Sequence, residues 1–299
     1  MLNAGMRCLF GETSANAGAL TVARSTLADS WVTQWLTATK SSVQTSLGAK
    51  LERGDLPSYA CLAMPTFDTP HIRAAAGATI GAVQGEGPSL LLDTWNRPHT
   101  TSAVALRALV SEAYVEDFTQ IIMCIGLPGS GKTAAAYSLA RDLPVIMLTA
   151  SALGDTDRTL PQHATVEWRC ILQQCQIAST DDCAANEQWM SMAFTMLLYM
   201  RLVQLQVFTE WAAKRGLNRR DQRQQWMVAQ RGLNSSVELK AALSTWATVP
   251  VTARGHCLAS MKSSVRVLLG ETGNPVLVID ESQRMNKEFP VAFPDRRVR

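Results

Sequence analysis

Several features are scarce in this chain of 299 residues, and each scarcity narrows what it can be. No apolar run reaches the roughly 20 residues that a membrane span requires. The longest strongly apolar stretch, Trp189–Met200, sits between Glu187 and Arg201 and reads as a buried helix, so no membrane anchor is expected. Charge is nearly balanced, with a net +3, which by itself implies no polyanionic partner. The seven cysteines are odd in number, scattered and without a paired C-x-x-C spacing, which suits a reducing compartment better than a disulfide framework. Cys170, Cys175 and Cys183 lie near His163, but without zinc-site spacing they read as buried helix thiols. The four histidines, His71, His99, His163 and His256, are isolated and suggest no nucleophile–base pair. The first residues hold no sustained apolar segment and are interrupted by Glu12, which argues against a cleaved secretory signal. No internal repeat is visible. An intracellular protein, cytoplasmic or nuclear, is expected.

What is present is a chain with ordinary hydrophobic content, 47%, and enough length to bury a substantial core in two or more units. Residues 1–60 are rich in Ser, Thr and Ala, with a helical segment in which Leu27, Trp31 and Trp35 recur at four-residue steps. Residues 61–100, punctuated by Pro65, Pro70, Pro88, Pro98 and four glycines, read as a linker. A helix starting at Thr101 or Ser102 leads into an apolar strand, Ile121–Ile125. A helix from about Lys132 to Arg141 and a strand in "LPVIMLTAS" follow. From about 163 to 270 the pattern is helical, including "SSVELKAALSTWATV", where Ser235 and Glu238 stand at capping-box spacing, and "CLASMKSSVRVLLG", stopped by Gly270. The strand "NPVLVIDES" closes the series. Strand, helix, strand, helical block and strand predict an α/β parallel sheet with a large helical insertion, a domain over 101–299.

The chemistry is concentrated in "GLPGSGKT". Gly126, Pro128, Gly129, Ser130, Gly131, Lys132 and Thr133 fit G-x-x-x-x-G-K-[ST] at every specified position. A triphosphate is bound by backbone N–H groups wrapped around its oxygens, which needs side chains out of the way and unusual φ angles; glycine supplies both. The helix beginning at Lys132 would point its N-terminal N–H groups at the same phosphates. Lys132 would reach the β- and γ-phosphates of ATP, and the Thr133 hydroxyl would ligate Mg2+. After the apolar run Val276–Ile279, Asp280 and Glu281 emerge where a buried parallel strand would end. Asp280 would hold the metal and Glu281 would polarise the attacking water. A glycine turn with a solvated lysine, and two acids opening a loop, are the plain alternatives; the coupling of the two motifs favours the chemistry.

These motifs resemble the additional-strand, catalytic-glutamate division of the P-loop NTPases, which includes the AAA+ ATPases and helicases. The resemblance covers residues 119–151 and 274–284. Asp280-Glu281-Ser282-Gln283 also looks like the D-E-x-Q signature of superfamily 1 helicases. "LNAGMRCLFGETSANAGALTV" and "SLGAKLERG" are similar to the N-terminal region of Crinkler effectors, with a partial parallel in the retrotransposon-hot-spot proteins. That resemblance implies a small ubiquitin-like N-terminal module over 1–60, joined to an NTPase, in a protein secreted to act in a host cell. The division also implies a central strand after the acidic motif. Only 17 residues follow Ser282, with Pro290 and Pro294 bracketing the one short apolar candidate, so the sheet is expected to be truncated and turnover by the chain alone slow or absent.

Lys214, Arg215, Arg219, Arg220, Arg223 and Arg231 fall within eighteen residues that hold one acid, Asp221, with Trp211 and Trp226 nearby. Arginine mixed with aromatics suits a single strand of nucleic acid, and the solvated end of a helical hairpin accounts for the same residues without one. Three functions follow in order. The first is an ATPase dependent on Mg2+, the second a nucleotide-binding switch or interaction module with a protein partner, and the third a fragment of a nucleic-acid helicase.

Overall fold

The computed structural model describes residues 17–63, 79–84, 100–115, 132–149, 167, 170–171 and 183–280. The described elements, in chain order, are helix α1 (Ala17–Arg53), strands β1 (Tyr59–Ala63) and β2 (Thr79–Val83), helices α2 (Thr101–Val115) and α3 (Lys132–Leu139), and strand β3 (Val145–Thr149). Helices α4 (Cys183–Lys214), α5 (Arg219–Ala229), α6 (Ser236–Ala247) and α7 (Val251–Glu271) and strand β4 (Val276–Asp280) complete the series.

Apolar periodicity explains the helical body. In α1, Ala28, Val32, Leu36, Val43, Leu47 and Leu51 are buried and recur along one face. In α7 the buried stripe is Cys257, Met261, Val265 and Leu268, and in α6 it is Leu239, Ala242, Leu243 and Trp246. Helix α4 is buried nearly all round, with Met192, Ala193, Met196, Leu197, Met200, Leu202 and Val203 fully enclosed. Helices α1, α4 and α7 pack against one another in all three pairings, and α6 lies against α4 and α1. By length and composition α4 could cross a membrane, but 72% of its most apolar window is buried inside the fold.

The expected P-loop sheet with a helical insertion is overturned. Among the described residues the structure has seven α-helices, and its parallel sheet has two strands, β3 and β4. The reason lies in where the apolar area goes. Among the described residues the main core draws most of its buried side chains from α1, α4, α5, α6 and α7, and the sheet adds Ile146 and Leu148, with the partly buried Leu277 packed against the core. Among the described residues the helices form the body, and the sheet is packed on them. Val145 and Met147, on the other face of β3, join a smaller cluster with Val110, Tyr137, Leu139, Ala140, Met227 and Val228. Strand β3 is therefore buried on both faces, as its unbroken apolar run requires.

The two strands run parallel with Val145 opposite Val276 and Thr149 opposite Asp280. Strands β1 and β2 pair antiparallel, Tyr59 opposite Val83, within and beside the stretch that proline and glycine punctuation marks as a linker. The strand expected at 121–125 lies outside the described residues, as does the "PVAF" segment; among the described residues the partner of β4 is β3.

Two helix-end expectations also change. The capping box at Ser235 is not formed. Its hydroxyl accepts from Gln204 Nε2 at 2.8 Å, and its backbone N–H donates to Glu167 Oε1 at 2.7 Å, so Glu238 has no role there. Helix α7 passes Gly270 and stops one residue later. There Gly273 takes a φ of +78° and the Asn274 N–H returns to the Leu269 carbonyl at 2.8 Å.

Candidate functional site

Lys132 and Thr133 are the first two residues of α3, both half-buried. The first N–H groups of a helix have no intrahelical partner and carry the positive end of its dipole, so these residues stand where an anion is favoured. Behind them Ala135, Ala136, Tyr137, Ser138 and Leu139 are buried, so the rest of the helix is packed into the fold. It closes in a tight turn, with Leu143 N–H on the Leu139 carbonyl at 3.0 Å, and the chain enters β3.

Asp280 is the last residue of β4, level with Thr149 at the carboxyl end of β3. Tyr137 and Leu139 of α3, Val145 and Met147 of β3, and Val276 and Val278 of β4 belong to one apolar cluster. The elements carrying Lys132, Thr133 and Asp280 are thus parts of one packed unit. Gly126, Pro128, Gly129, Ser130, Gly131 and Glu281 lie outside the described residues.

Magnesium held on a triphosphate would call on a hydroxyl, a carboxylate, an ammonium and helix N–H groups, the donor types carried by Thr133, Asp280, Lys132 and the start of α3. Among the described residues no group of three or more His, Cys, Asp or Glu could hold a metal ion. A magnesium taking most of its ligands from phosphate and water needs only one or two protein oxygens. Cys170 is buried, and burial raises its thiol pKa, the state of a structural thiol. Burial pushes the Cys257 thiol up to about 11.

Sequence reasoning missed two buried polar systems, one on β3 and one between α4 and the start of α6. In the first, Trp226 Nε1 donates to the Val145 carbonyl at 2.8 Å, and Gln230 Nε2 donates to the same oxygen at 3.1 Å. The Met147 N–H donates to Gln230 Oε1 at 3.0 Å, so side chains of α5 and the turn after it close the edge of β3 that faces away from β4. In the second, the buried Arg201 donates through NH2 to Glu167 Oε2 at 2.6 Å and through NH1 to Gln204 Oε1 at 3.0 Å. The sequence signals were a lone arginine inside "LLYMRLVQ" and two glutamines bracketing "WMVA". A buried charge or amide must find partners, and those positions announce that such partners exist.

The basic cluster is split by the fold. Trp226 is 2% exposed, inside the core, with Phe208 at a centroid distance of 5.4 Å, so it is closed to any ligand. Arg223 donates to the Arg141 carbonyl at 3.1 Å, and burial lowers its pKa. Lys214, Arg215, Arg219 and Arg220 remain exposed at the α4–α5 corner. Arg215 stands over the Trp211 ring, 4.6 Å from its centroid.

Comparisons with protein-family models, with curated proteins and with solved structures found no match.

Proposed function

We propose that this protein binds a nucleoside triphosphate, ATP, with Mg2+ through the loop Gly126–Thr133, and hydrolyses it. The single observation that carries the reading is the glycine-rich G-x-x-x-x-G-K-T segment delivering Lys132 and Thr133 as the opening residues of a helix. Support comes from the parallel strand that ends in Asp280 and shares an apolar cluster with that helix. Lys132 offsets phosphate charge, the first N–H groups of α3 receive phosphate oxygens, and the Thr133 hydroxyl with Asp280 supplies oxygens to a magnesium ion. Glu281 accepts a proton from water as the water oxygen bonds to the γ-phosphorus and the bond from that phosphorus to the β-phosphate oxygen breaks, leaving ADP and inorganic phosphate. When bound, the metal neutralises the charge on the phosphates.

A second reading, binding without turnover, is favoured by the helix-dominated body, in which the described parallel sheet has two strands. Both readings are tested by calorimetric titration of Mg·ATP together with a phosphate-release assay. Lys132→Ala is expected to weaken ATP binding by about tenfold or more, the scale of a lost charge-assisted hydrogen bond. Unchanged affinity in a folded Lys132→Ala protein would refute the loop as the site. Glu281→Gln is expected to keep binding and abolish phosphate release. If the wild type releases no phosphate while binding ATP, the switch reading stands and hydrolysis is withdrawn.

A further inference from the structure

The α4–α5 corner carries a feature that the phosphate loop does not use. Between the last turn of α1 and that corner lies a cleft of about 350 Å3, lined by Leu51, Leu56, Phe208 and Trp211 with Arg53 and Arg215 among its charged walls. Phe208 and Trp211 pack together at a centroid distance of 5.6 Å and form an aromatic floor.

Arg215 is fixed by two contacts. Its guanidinium lies over the Trp211 ring, and NH2 reaches Glu52 Oε2 at 3.3 Å, while its side chain stays 50% exposed. A planar cation supported by an indole is a platform on which a nucleobase stacks, because guanidinium planes and aromatic faces both receive bases. Lys214, Arg219 and Arg220 stand exposed at the same corner, at the end of α4 and the start of α5. Of the acids nearby, Glu52 is engaged by Arg215, Asp55 by Arg53 at 2.6 Å and Asp221 by Asn218 at 2.7 Å, while Glu210 stands exposed beside Trp211.

We infer that this cleft binds single-stranded nucleic acid, one base stacking on Arg215 above Trp211 and the flanking phosphates lying along Lys214, Arg219 and Arg220. An acidic protein segment would use the same charges but has no use for the stacked platform. The site is independent of Lys132, so its failure and that of the nucleotide reading are separate outcomes.

The test is fluorescence anisotropy of a labelled oligothymidylate with the full chain at low and moderate salt. Binding should weaken as salt rises. Arg215→Ala and Arg215→Lys should each weaken it about tenfold, the scale of one lost stacking contact. Lysine should fail to rescue because an ammonium has no plane to offer. Arg220→Gln should instead lower the salt slope by about one phosphate contact. Thermal unfolding of each variant confirms that it folds; Arg215 is surface-exposed, and the Lys variant keeps its charge. No binding at low salt, or Arg215→Lys equal to the wild type, would overturn the proposal. So would polyglutamate displacing the probe as well as unlabelled oligonucleotide does, an outcome that would assign the surface to an acidic partner.

Discussion

Tyr59 in β1 and Val145–Met147 in β3 meet the same stretch of chain and the same chemistry, with different surroundings. The Tyr59 N–H donates to Gln225 Oε1 at 2.9 Å, and Gln225 Nε2 returns to the Tyr59 carbonyl at 3.4 Å. The Met147 N–H donates to Gln230 Oε1 at 3.0 Å, and Gln230 Nε2 donates to the Val145 carbonyl at 3.1 Å. A primary amide carries a donor and an acceptor side by side, so each glutamine meets its strand as the peptide group of a neighbouring strand would. Gln230 is 3% exposed and its strand is buried on both faces, whereas Gln225 and Tyr59 are half-buried. The lesson is energetic. A hydrogen bond weighs what its loss leaves behind, and only at β3 does the loss leave a buried group that water cannot reach.

The comparison can be broken by degrees, and the largest effect should come from the double change Trp226→Phe with Gln230→Ala. It removes both side-chain donors to the Val145 carbonyl, so the loss in denaturant-derived stability should exceed the sum of the two single losses. Next is Gln230→Ala alone, which strands the Met147 N–H while Trp226 still serves Val145. A loss of about 2 kcal/mol in urea unfolding is expected. Gln225→Ala should be smallest, about 0.5 kcal/mol, because water can replace the amide at Tyr59. Equal losses for the two glutamines would show that burial does not set their weight.

Much of this architecture was legible and some was not, for identifiable reasons. The α4 and α6 segments and strands β3 and β4 showed in their apolar patterns because one kind of surface decides them. Helix α5 was obscured because its first half, Arg219–Arg223, is charged and its apolar residues come only at Trp226–Ala229. Strands β1 and β2 were hidden by flanking proline and glycine. The turn after α5 carries its own constraint: a Cβ at Gly232 would lie 2.6 Å from Pro57 Cδ, a close approach that only the fold discloses. The fold class failed because a phosphate-loop signature was allowed to stand for a whole sheet domain. The lengths and burial of α1, α4 and α7 say that the core is made by helices. For the site, local spacing identified Lys132 and Thr133 as a helix start and Asp280 as a strand end. The glutamine and tryptophan contacts that seal β3 are long-range, and no local pattern specifies them.

The central functional claim is that the loop before α3 receives the phosphates. Hydrogen–deuterium exchange of the full chain, with and without Mg·ATP, tests it most directly. Residues 126–136 should gain protection with Mg·ATP in the wild type and lose that gain in Lys132→Ala. No gain in that segment at saturating nucleotide, or the same gain in the Lys132→Ala protein, would contradict the account.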